Sequence, residues 1–236
     1  MNRIIMTREG KIFYADSSRD FHTQFGYVAK KDMKKKRAKT SKGEEVIILE
    51  PKFCDIFRKI KRHAQIITPK DIGLIISTTG ANKDSVVVDL GSGSGALACA
   101  LANISKKVVT YDVDERSIKA TKENIEMFGL KNIKVKNKSA YEKIDERNAD
   151  LITMDLPEPW RALDNARHAL KLGGFLVSYS PHITQAQRTV NEASGFVVLK
   201  TVELIEREWV VDGKKARPDF RGLGHTGFLT FMRRFE

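Results

Sequence analysis

The sequence predicts an α/β protein built around a parallel, doubly wound sheet, with a small β-rich domain at its N-terminus. From residue 85 onward, apolar strand-like runs alternate with helical segments of about 10–15 residues, which is typical of a parallel sheet. Ser85–Leu90 is a continuous apolar run rather than an alternating one, as expected for a strand buried on both faces. Residues 1–50 instead hold short β-prone runs separated by turn residues.

The N-terminal pattern predicts a small β-rich domain over residues 1–60, which leaves residues 61–236 for the larger α/β domain. Its β-prone runs are Ile4–Met6, Lys11–Tyr14 and Val46–Leu49. A dense basic run, KKDMKKKRAKTSK, occupies residues 30–42. A solvated or mobile loop and an RNA contact remain equally open interpretations of this run.

The elements of the larger domain follow one another regularly. Residues 51–80 are predicted to be helical in part, and Gly173-Gly174 is expected to end one helix and start the next strand. The predicted strands are Ser85–Leu90, Lys107–Val113, Ile133–Lys136, Asp150–Leu156, Phe175–Tyr179, Val197–Val211 and Thr226–Arg233. The predicted helices are Ala96–Ile104, Glu115–Phe128, Arg161–Leu170 and Ile183–Ala193.

Composition restricts the classes of partner. The 42 Lys and Arg against 30 Asp and Glu give a net charge of +12. This excess of cations favours a polyanionic partner, and we prefer nucleic acid over a role of the charge in solubility alone.

Two cysteines form no disulfide framework, and the five histidines show no metal-ligand spacing, so we expect no metal. The chain begins without a signal-peptide pattern and holds no run long enough to cross a bilayer, which predicts a cytoplasmic protein without a membrane partner. His63, beside several cations, is interpreted as part of a solvated basic face.

A glycine-rich turn follows the first strand of the larger domain, in the run VVVDLGSGSGA over residues 86–96. Glycines allow a ligand to approach the backbone closely, and Asp112, at the end of the second strand, is placed to bind ribose hydroxyls. A dinucleotide fits this spacing, but Asp89 beside the turn would repel a pyrophosphate. S-adenosylmethionine has no phosphate and carries an ammonium group and a sulfonium, so it is the favoured cofactor.

The fourth strand ends in Asp155, followed by a turn that two prolines stiffen. Ligands of doubly wound sheets bind outside the carboxyl ends of the strands, which places Asp155 beside the cofactor cleft. A rigid turn holds a carboxylate in fixed geometry, as a catalytic group requires. The alternative for Asp155 is an acid that caps the next helix.

The hexapeptide DLPEPW (residues 155–160) resembles the signature of the tRNA (adenine-N1)-methyltransferases, class I enzymes that modify adenosine 58 of the T-loop and, in archaeal members, adenosine 57. The resemblance covers roughly residues 60–232. It implies a Rossmann-like methyltransferase sheet, S-adenosylmethionine as cofactor, tRNA as substrate and a homotetramer. Two departures are Thr68, where many members carry an aromatic residue or His, and residues 138–141, where many carry an acid. The other segments that agree are QIITPKD (65–71), the glycine loop around Asp89–Gly95, Arg217-Pro218 and GHTGFL (224–229).

These motifs imply a mechanism and a set of contacts. Adenine N1 can attack a sulfonium methyl without a strong base, so the expected role of Asp155 is to accept a hydrogen bond from the adenine N6 amino group and to offset the developing positive charge. Trp160, Arg217 and His225 are the candidate substrate contacts, with a core position favoured for Trp160 and a structural role equally open for His225. The expected cofactor contacts are Gln65, Asp89, Gly91, Ser92, Gly93, Ser94, Gly95, Asp112, Val113, Ser139, Ala140 and Asp155.

Two other functions compete with this one. A methyltransferase of the same fold could act on a small metabolite or a protein side chain, although the net charge and the paired DLPEPW and HTGFL motifs count against it. A non-catalytic tRNA-binding subunit could retain the fold but would be free to lose the glycine loop and Asp155, both of which this chain keeps.

Overall fold

The computed structural model of the chain describes residues 2–62 and 65–236. The chain divides into two compact units, Met1–Ile60 and Lys61–Glu236, each with its own sheet. His63 lies outside the described residues. Within the described residues, no helix combines the length and the apolar character needed to span a bilayer.

The N-terminal unit is a four-stranded antiparallel sheet in the order β2-β1-β6-β5, with a separate β3–β4 hairpin and one short helix, α1. One face of the sheet packs on a small core that includes Ile5, Val28, Met33 and Ile48. The sequence pattern missed the hairpin and β5, because three-residue strands are too short to show alternation. The elements are β1 (Asn2–Thr7), β2 (Ile12–Asp16), β3 (Phe21–Thr23), β4 (Gly26–Val28), β5 (Arg37–Lys39), β6 (Glu45–Leu49) and α1 (Phe53–Phe57).

The larger unit confirms the doubly wound sheet. Its seven strands run in the order β12-β15-β11-β10-β7-β8-β9; the five from β11 to β9 are parallel, and β15 and β12 are antiparallel to their neighbours. The strands are β7 (Val86–Leu90), β8 (Lys107–Asp112), β9 (Ile133–Asn137), β10 (Ala149–Met154), β11 (Leu170–Ser180), β12 (Phe196–Glu203), β13 (Trp209–Asp212), β14 (Lys215–Pro218) and β15 (Phe228–Arg234). The helices are α2 (Pro69–Thr79), α3 (Ala96–Ala102), α4 (Glu115–Phe128), α5 (Leu163–Ala169) and α6 (Ile183–Asn191).

Two boundaries differ from the sequence prediction. Gly173-Gly174 does not end a helix: α5 stops at Ala169 and β11 begins at Leu170, so the glycines lie inside the strand. The long run predicted over Val197–Val211 is broken after Glu203, and its end forms a hairpin of β13 and β14 around Gly213-Lys214. Asp212 fixes that turn by accepting hydrogen bonds from the backbone amides of residues 214 and 215.

A buried ion pair secures the start of α2. The Lys70 ammonium group lies 2.9 Å from the Asp71 carboxylate, and both side chains are nearly inaccessible to solvent. Lys70 also donates to the carbonyl of Leu204 and to the hydroxyl of Thr226, each at 2.6 Å, while the Thr68 hydroxyl donates to Asp71 at 2.8 Å. The segment before the glycine loop is thereby tied to the segment before β15, which explains in physical terms why both motifs occur together.

Replacement of Lys70 by Met should lower the free energy of unfolding by about 3–5 kcal/mol, because Asp71 would remain buried without its cation. The double variant Lys70→Met/Asp71→Leu should lose less than the sum of the two single variants, as urea unfolding would show. Lys83→Met, at an exposed pair 3.6 Å from Asp84, is the control and should change stability by less than about 1 kcal/mol. Additive losses in the Lys70–Asp71 cycle would contradict this coupling.

Candidate active site

A cleft of about 570 Å³ opens at the carboxyl ends of β7, β8 and β10, where the direction of chain winding reverses between β7 and β10. Its volume is that of a small-molecule site. The lining residues are Gln65, Ile66, Gly91, Gly93, Tyr111, Asp112, Val113, Lys138, Ser139, Ala140, Tyr141, Asp155, Leu156, Pro157, Tyr179, Pro181, Gln185 and Thr226.

The glycine loop meets the turn after β10 at Gly91. Its φ of 92° belongs to the left-handed region, and a Cβ atom there would lie 2.1 Å from the carbonyl oxygen of Asp155. Only glycine therefore allows the loop after β7 to touch the turn after β10. Gly93 is different, because a Cβ placed on it would meet no atom within 4 Å. Gly93 lines the cleft and leaves room for a ligand close to the backbone.

Asp112 is held in place by four donors. One carboxylate oxygen accepts from the Ser92 hydroxyl and the Gly93 amide, both at 3.0 Å. The other accepts from the amides of Val113 and Asp114 at 2.8 and 2.9 Å. These four bonds fill the acceptor capacity of a carboxylate, so a bound diol would have to replace some of them. Its position and chemistry suit the predicted ribose contact.

Asp89 does not line the cleft, and this corrects the expectation of a direct contact with the cofactor ammonium group. Its side chain is buried in the sheet, where its two oxygens accept from the hydroxyls of Thr153 and Thr110, each at 2.7 Å. Burial raises the pKa of this carboxyl to about 6, although both threonine bonds act in the opposite direction. Asp89 can therefore affect a ligand only through its field.

Asp155 faces the cleft at the end of β10, and among the described residues its carboxylate forms no hydrogen bond or ion pair. Its backbone amide donates to the Leu90 carbonyl at 2.8 Å, which fixes the turn. Burial, together with the Asp89 and Asp112 carboxylates, raises the pKa of Asp155 to about 7. A carboxylate that accepts no bond, in a confined and anionic setting, is suited to a partner that is cationic or becomes so.

The other predicted cofactor residues divide into two groups. Gln65, Val113, Ser139 and Ala140 line the cleft. The cleft is not lined by Ser92, Ser94 or Gly95, because the loop directs them towards the protein interior. Ser92 and Ser94 are buried, and Gly95 packs against Thr121. For these three, the expected direct contact is replaced by a role in shaping the loop.

The three predicted substrate residues also lie outside the cleft wall. Trp160 packs half-buried against the core, and the Arg188 guanidinium lies 4.0 Å from its ring centroid, which supports the core position favoured from sequence. Arg217, in β14, stacks on Phe220 at 4.2 Å. His225 bonds through Nδ1 to the Glu203 carboxylate and through Nε2 to the Pro181 carbonyl. The bond to Glu203 and, to a lesser extent, the bond to Pro181 raise the pKa of His225. The His225 side chain thus connects the end of β12 to the residue that follows β11.

Sequence reasoning missed Tyr179, which forms part of the wall. Its hydroxyl donates to the Thr226 carbonyl, and its side chain occupies the space that a Cβ on Gly227 would fill, with side-chain atoms 2.4–2.7 Å from that position. Burial and the Asp155 and Asp71 carboxylates raise the pKa of Tyr179 to about 12, so the phenol stays protonated. The HTGF motif therefore shapes the wall around Tyr179, a purpose that only the paired geometry of β11 and β15 reveals.

Gln185, also missed, connects α6 to the turn after β10. Its side-chain amide donates to the Pro157 carbonyl at 2.9 Å and accepts from the His182 amide at 3.3 Å. Tyr141 supports the same turn, since its hydroxyl accepts from the Glu158 amide at 3.1 Å. One sequence signal could have suggested Gln185. It stands three residues after His182, which is the spacing of a helix capping box.

Comparison with known proteins assigns a family to this geometry. The family described as "tRNA methyltransferase complex GCD14 subunit" matches residues 46–217. The chain belongs to this family. A member from Methanocaldococcus jannaschii, named tRNA (adenine(57)-N(1)/adenine(58)-N(1))-methyltransferase TrmI, is 34% identical, with 98% of this chain and 94% of that protein covered. The Thermus thermophilus tRNA (adenine(58)-N(1))-methyltransferase TrmI is 32% identical over 84% of this chain and 80% of its own.

Solved structures agree with the fold of the GCD14 family. A crystal structure of a protein from Thermotoga maritima, named as a SAM-dependent O-methyltransferase, superimposes with a TM-score of 0.88 at 26% identity, covering 100% of this chain and 93% of the other. The tRNA (m1A58) methyltransferase TrmI of Aquifex aeolicus gives 0.85 at 23% identity, with 100% and 97% covered, and supports the fold alone. In the described part of the chain, no group of three or more His, Cys, Asp or Glu residues is arranged to hold a metal.

Replacement of Asp89 by Asn should stabilise the ligand-free protein at pH 8 by about 3 kcal/mol, because the raised pKa means that ionisation of Asp89 disfavours the native state. The wild type loses this stability as the pH rises from about 4 to about 6, so the variant's advantage should be absent near pH 4. Thermal unfolding at several pH values would measure it, with the exposed Asp84→Asn as control. A variant destabilised equally at all pH values would contradict this account.

Proposed function

We propose that the chain binds S-adenosylmethionine in the cleft and transfers its methyl group to N1 of an adenine in the T-loop of tRNA, at position 58 alone or at both 57 and 58. The observation that carries this proposal is the Asp155 carboxylate, which accepts no bond from the described residues and shares the cleft with the open backbone of Gly93. The names of the M. jannaschii and T. thermophilus relatives support the substrate.

The residues of the cleft fit S-adenosylmethionine better than a dinucleotide. Gly93 leaves open space at the backbone, and Asp112 presents a carboxylate suited to ribose hydroxyls. Of the described residues that line the cleft, only Lys138 carries a cationic side chain, and it pairs with Asp145 at 2.8 Å. A pyrophosphate would meet Asp112 and Asp155 with no free cation to balance it, whereas a cationic ligand would be attracted.

Asp112, Gly93 and Val113 would hold the ribose side of the cofactor, and Ser139 and Ala140 its adenine side. When bound, S-adenosylmethionine supplies an electrophilic methyl group on a positively charged sulfur. Asp155 would accept a hydrogen bond from the N6 amino group of the target adenine and so orient N1. The methylated ring is cationic, and the ionised carboxylate of Asp155 stabilises that charge as it develops.

The apolar and aromatic part of the wall would do the rest of the positioning. Tyr179 and Tyr141 flank the turn that carries Asp155, and their hydroxyls are already engaged with Thr226 and Glu158. One side of the Tyr141 ring is covered by the Arg161 guanidinium, 4.7 Å from its centroid, and the Tyr179 ring packs against Gly227, so both rings are held in place. The ring surfaces that line the cleft would stack on a target base that has left its own stack, and that unstacking costs about a few kcal/mol. Rigid placement of the two reactants lowers the barrier because little entropy is left to lose.

We further propose that the protein works in the cytoplasm as a homotetramer that binds RNA. Exposed apolar side chains on the β13–β14 hairpin, including Trp209 and Val211, support a contact between copies, because such surfaces are usually covered. Sedimentation analysis of the purified protein would measure the number of copies. A monomeric mass would exclude the tetramer.

Replacement of Asp155 by Ala should reduce methyl transfer about a hundredfold or more, because the preorganised acceptor is lost. The assay is transfer from labelled S-adenosylmethionine to unmodified tRNA, followed by nucleoside analysis. The wild type should produce 1-methyladenosine in the T-loop. Glu158→Ala, three residues away on the same turn and paired with Arg161, is the control and should retain most activity.

Three other outcomes would each change the assignment. A 2′-O-methylated nucleoside would favour the oxygen chemistry for which the T. maritima protein is named, and in that reaction Asp155 could act as a base. Cofactor binding without RNA methylation would favour a metabolite or protein acceptor. Salt-sensitive tRNA binding without cofactor binding would indicate a non-catalytic subunit.

The second-order rate constant for the wild type should fall about tenfold per pH unit below pH 7 and level off above it, because only ionised Asp155 accepts the bond and its pKa is about 7. Asp155→Asn, which cannot ionise, should show a low rate without this rise. An unchanged rise in the variant would assign the titration to another group.

A further inference from the structure

The N-terminal unit carries more of the net charge than its length accounts for. Residues 1–60 hold 15 Lys and Arg against 8 Asp and Glu, whereas residues 61–236 hold 27 against 22. Eight of the 15 cations lie within residues 30–42, hereafter the basic knuckle. A cluster of this density on about a twentieth of the chain needs an explanation beyond solubility.

The backbone of the basic knuckle is held in place by a short helical turn, a strand, one buried side chain and several hydrogen bonds. Residues 30–32 form a turn of 3₁₀ helix, and the knuckle continues into the edge strand β5. Met33, in its centre, is buried with 1% of its surface exposed. The Lys36 carbonyl accepts from the Ile48 amide, and the Ser41 amide donates to the Tyr27 carbonyl, each at 2.9 Å. On the other side of Met33, the Lys30 amide donates to the Asp20 carboxylate at 2.7 Å. The lysines of the knuckle therefore project from a backbone that is anchored on both sides of Met33.

The cations of the basic knuckle are largely unneutralised. Lys35 pairs with Asp32 at 2.6 Å, and across the described part of the chain the other cations of the knuckle form no ion pair. Cationic side chains elsewhere are commonly paired, as Arg161 is with Glu158 and Arg188 with Glu192. Clustered like charges repel one another and weaken the fold slightly, so a polyanion that binds them would relieve that repulsion.

A groove beside the knuckle adds features suited to RNA. It has a volume of about 530 Å³ and is lined by the cations Arg8, Arg37 and Lys39 and by apolar residues that include Met6 and Ile47. Glu45 also lines the groove and lies 3.6 Å from Arg8, which leaves Arg37 and Lys39 as its unpaired cations among the described residues. Cations of this kind can bind phosphates, and apolar side chains can contact sugars and base faces.

The β3–β4 hairpin contributes an aromatic surface next to the knuckle. Tyr27 is exposed, and the His22 ring lies 5.4 Å from it, centroid to centroid. The knuckle holds Tyr27 in place, since the Tyr27 backbone amide donates to the Ser41 hydroxyl at 3.1 Å. Exposed rings among cations favour a nucleic acid over a membrane surface, because unpaired bases stack on them.

We propose that the basic knuckle and the adjoining groove bind the sugar-phosphate backbone of the tRNA substrate, at a site that shares no residue with the cleft. This rests on the proposed function for the identity of the RNA. The knuckle supplies affinity, and the cleft supplies the chemistry.

The test compares two double variants that remove the same charge. Lys34→Ala/Lys36→Ala alters the knuckle, and Lys106→Ala/Lys107→Ala alters exposed lysines at the amino end of β8, the edge of the sheet opposite the cleft. Binding of unmodified tRNA to the full-length protein is measured by fluorescence anisotropy across a salt series. The knuckle variant should weaken binding roughly five- to tenfold and reduce the slope of log K against log salt by about 1.5, while the control changes each only slightly.

Steady-state methylation separates binding from chemistry. The knuckle variant should raise KM for tRNA and leave kcat unchanged, with the same thermal midpoint and the same S-adenosylmethionine affinity as the wild type. Equal weakening in both double variants, or an unchanged salt slope in the knuckle variant, would overturn the proposal. So would a knuckle variant that loses binding to phosphatidylserine vesicles while it keeps its affinity for tRNA.

The same data distinguish this proposal from the proposed function. If the wild type binds tRNA through the knuckle but forms no methylated nucleoside, the knuckle stands and the methylation activity fails. If methylation proceeds and the knuckle variant binds tRNA as the wild type does, only the knuckle proposal fails.

Discussion

The burial, partial or complete, of three carboxylates close together at one end of the sheet is the constraint on which the rest of the larger unit depends. Asp89, Asp112 and Asp155 lie at the ends of three neighbouring strands, β7, β8 and β10, and none of them pairs with a cation in the described structure. The three carboxylates differ in their hydrogen-bond partners. Asp89 is buried and satisfied by two threonine hydroxyls, Asp112 is surrounded by four donors, and Asp155 is left without a partner. Burial, with a smaller contribution from the neighbouring carboxylates, raises the pKa values of Asp89 and Asp155, so ionisation of either group disfavours the folded state.

The glycine loop (residues 91–95) and the GHTGFL segment (residues 224–229) fix the positions of two walls of this anionic cleft. Gly91 lets the loop touch the Asp155 carbonyl, and Gly227 lets the Tyr179 ring pack against the chain. Lys70, in α2, bonds both to Asp71 and to the Thr226 hydroxyl, and so ties the start of α2 to the segment before β15. A substitution at any of these positions would displace a wall of the cleft, even where the residue itself contacts no reactant. Such a displacement would lower the rate by misplacing the reacting groups.

The sequence allowed the fold and the floor of the cleft to be predicted, since both depend on local signals. Strand-helix alternation gives the sheet, and the position of Gly93, Asp112 and Asp155 at strand ends follows from it. The direction of side chains could not be predicted, which is why Asp89 was expected in the cleft but is buried in the sheet. The roles of Tyr179 and Gln185 could not be predicted, because each depends on a contact between distant segments. Tyr179 depends on the pairing of β11 with β15, and Gln185 on the contact of α6 with the turn after β10. Contacts between distant segments leave no periodic trace in a single sequence.

The distribution of charge follows from a conflict between the two proposed ligands. A cationic methyl donor requires an anionic cleft, and that cleft repels the phosphates of the RNA that must enter it. The repulsion cannot be removed by adding lysines to the wall, because they would weaken the hold on the donor; Lys138 is indeed neutralised by Asp145. Affinity for the polyanion must therefore come from cations that do not line the cleft, and such cations are concentrated in the N-terminal unit. The small unit would then supply the affinity for RNA that the residues lining the cleft cannot supply.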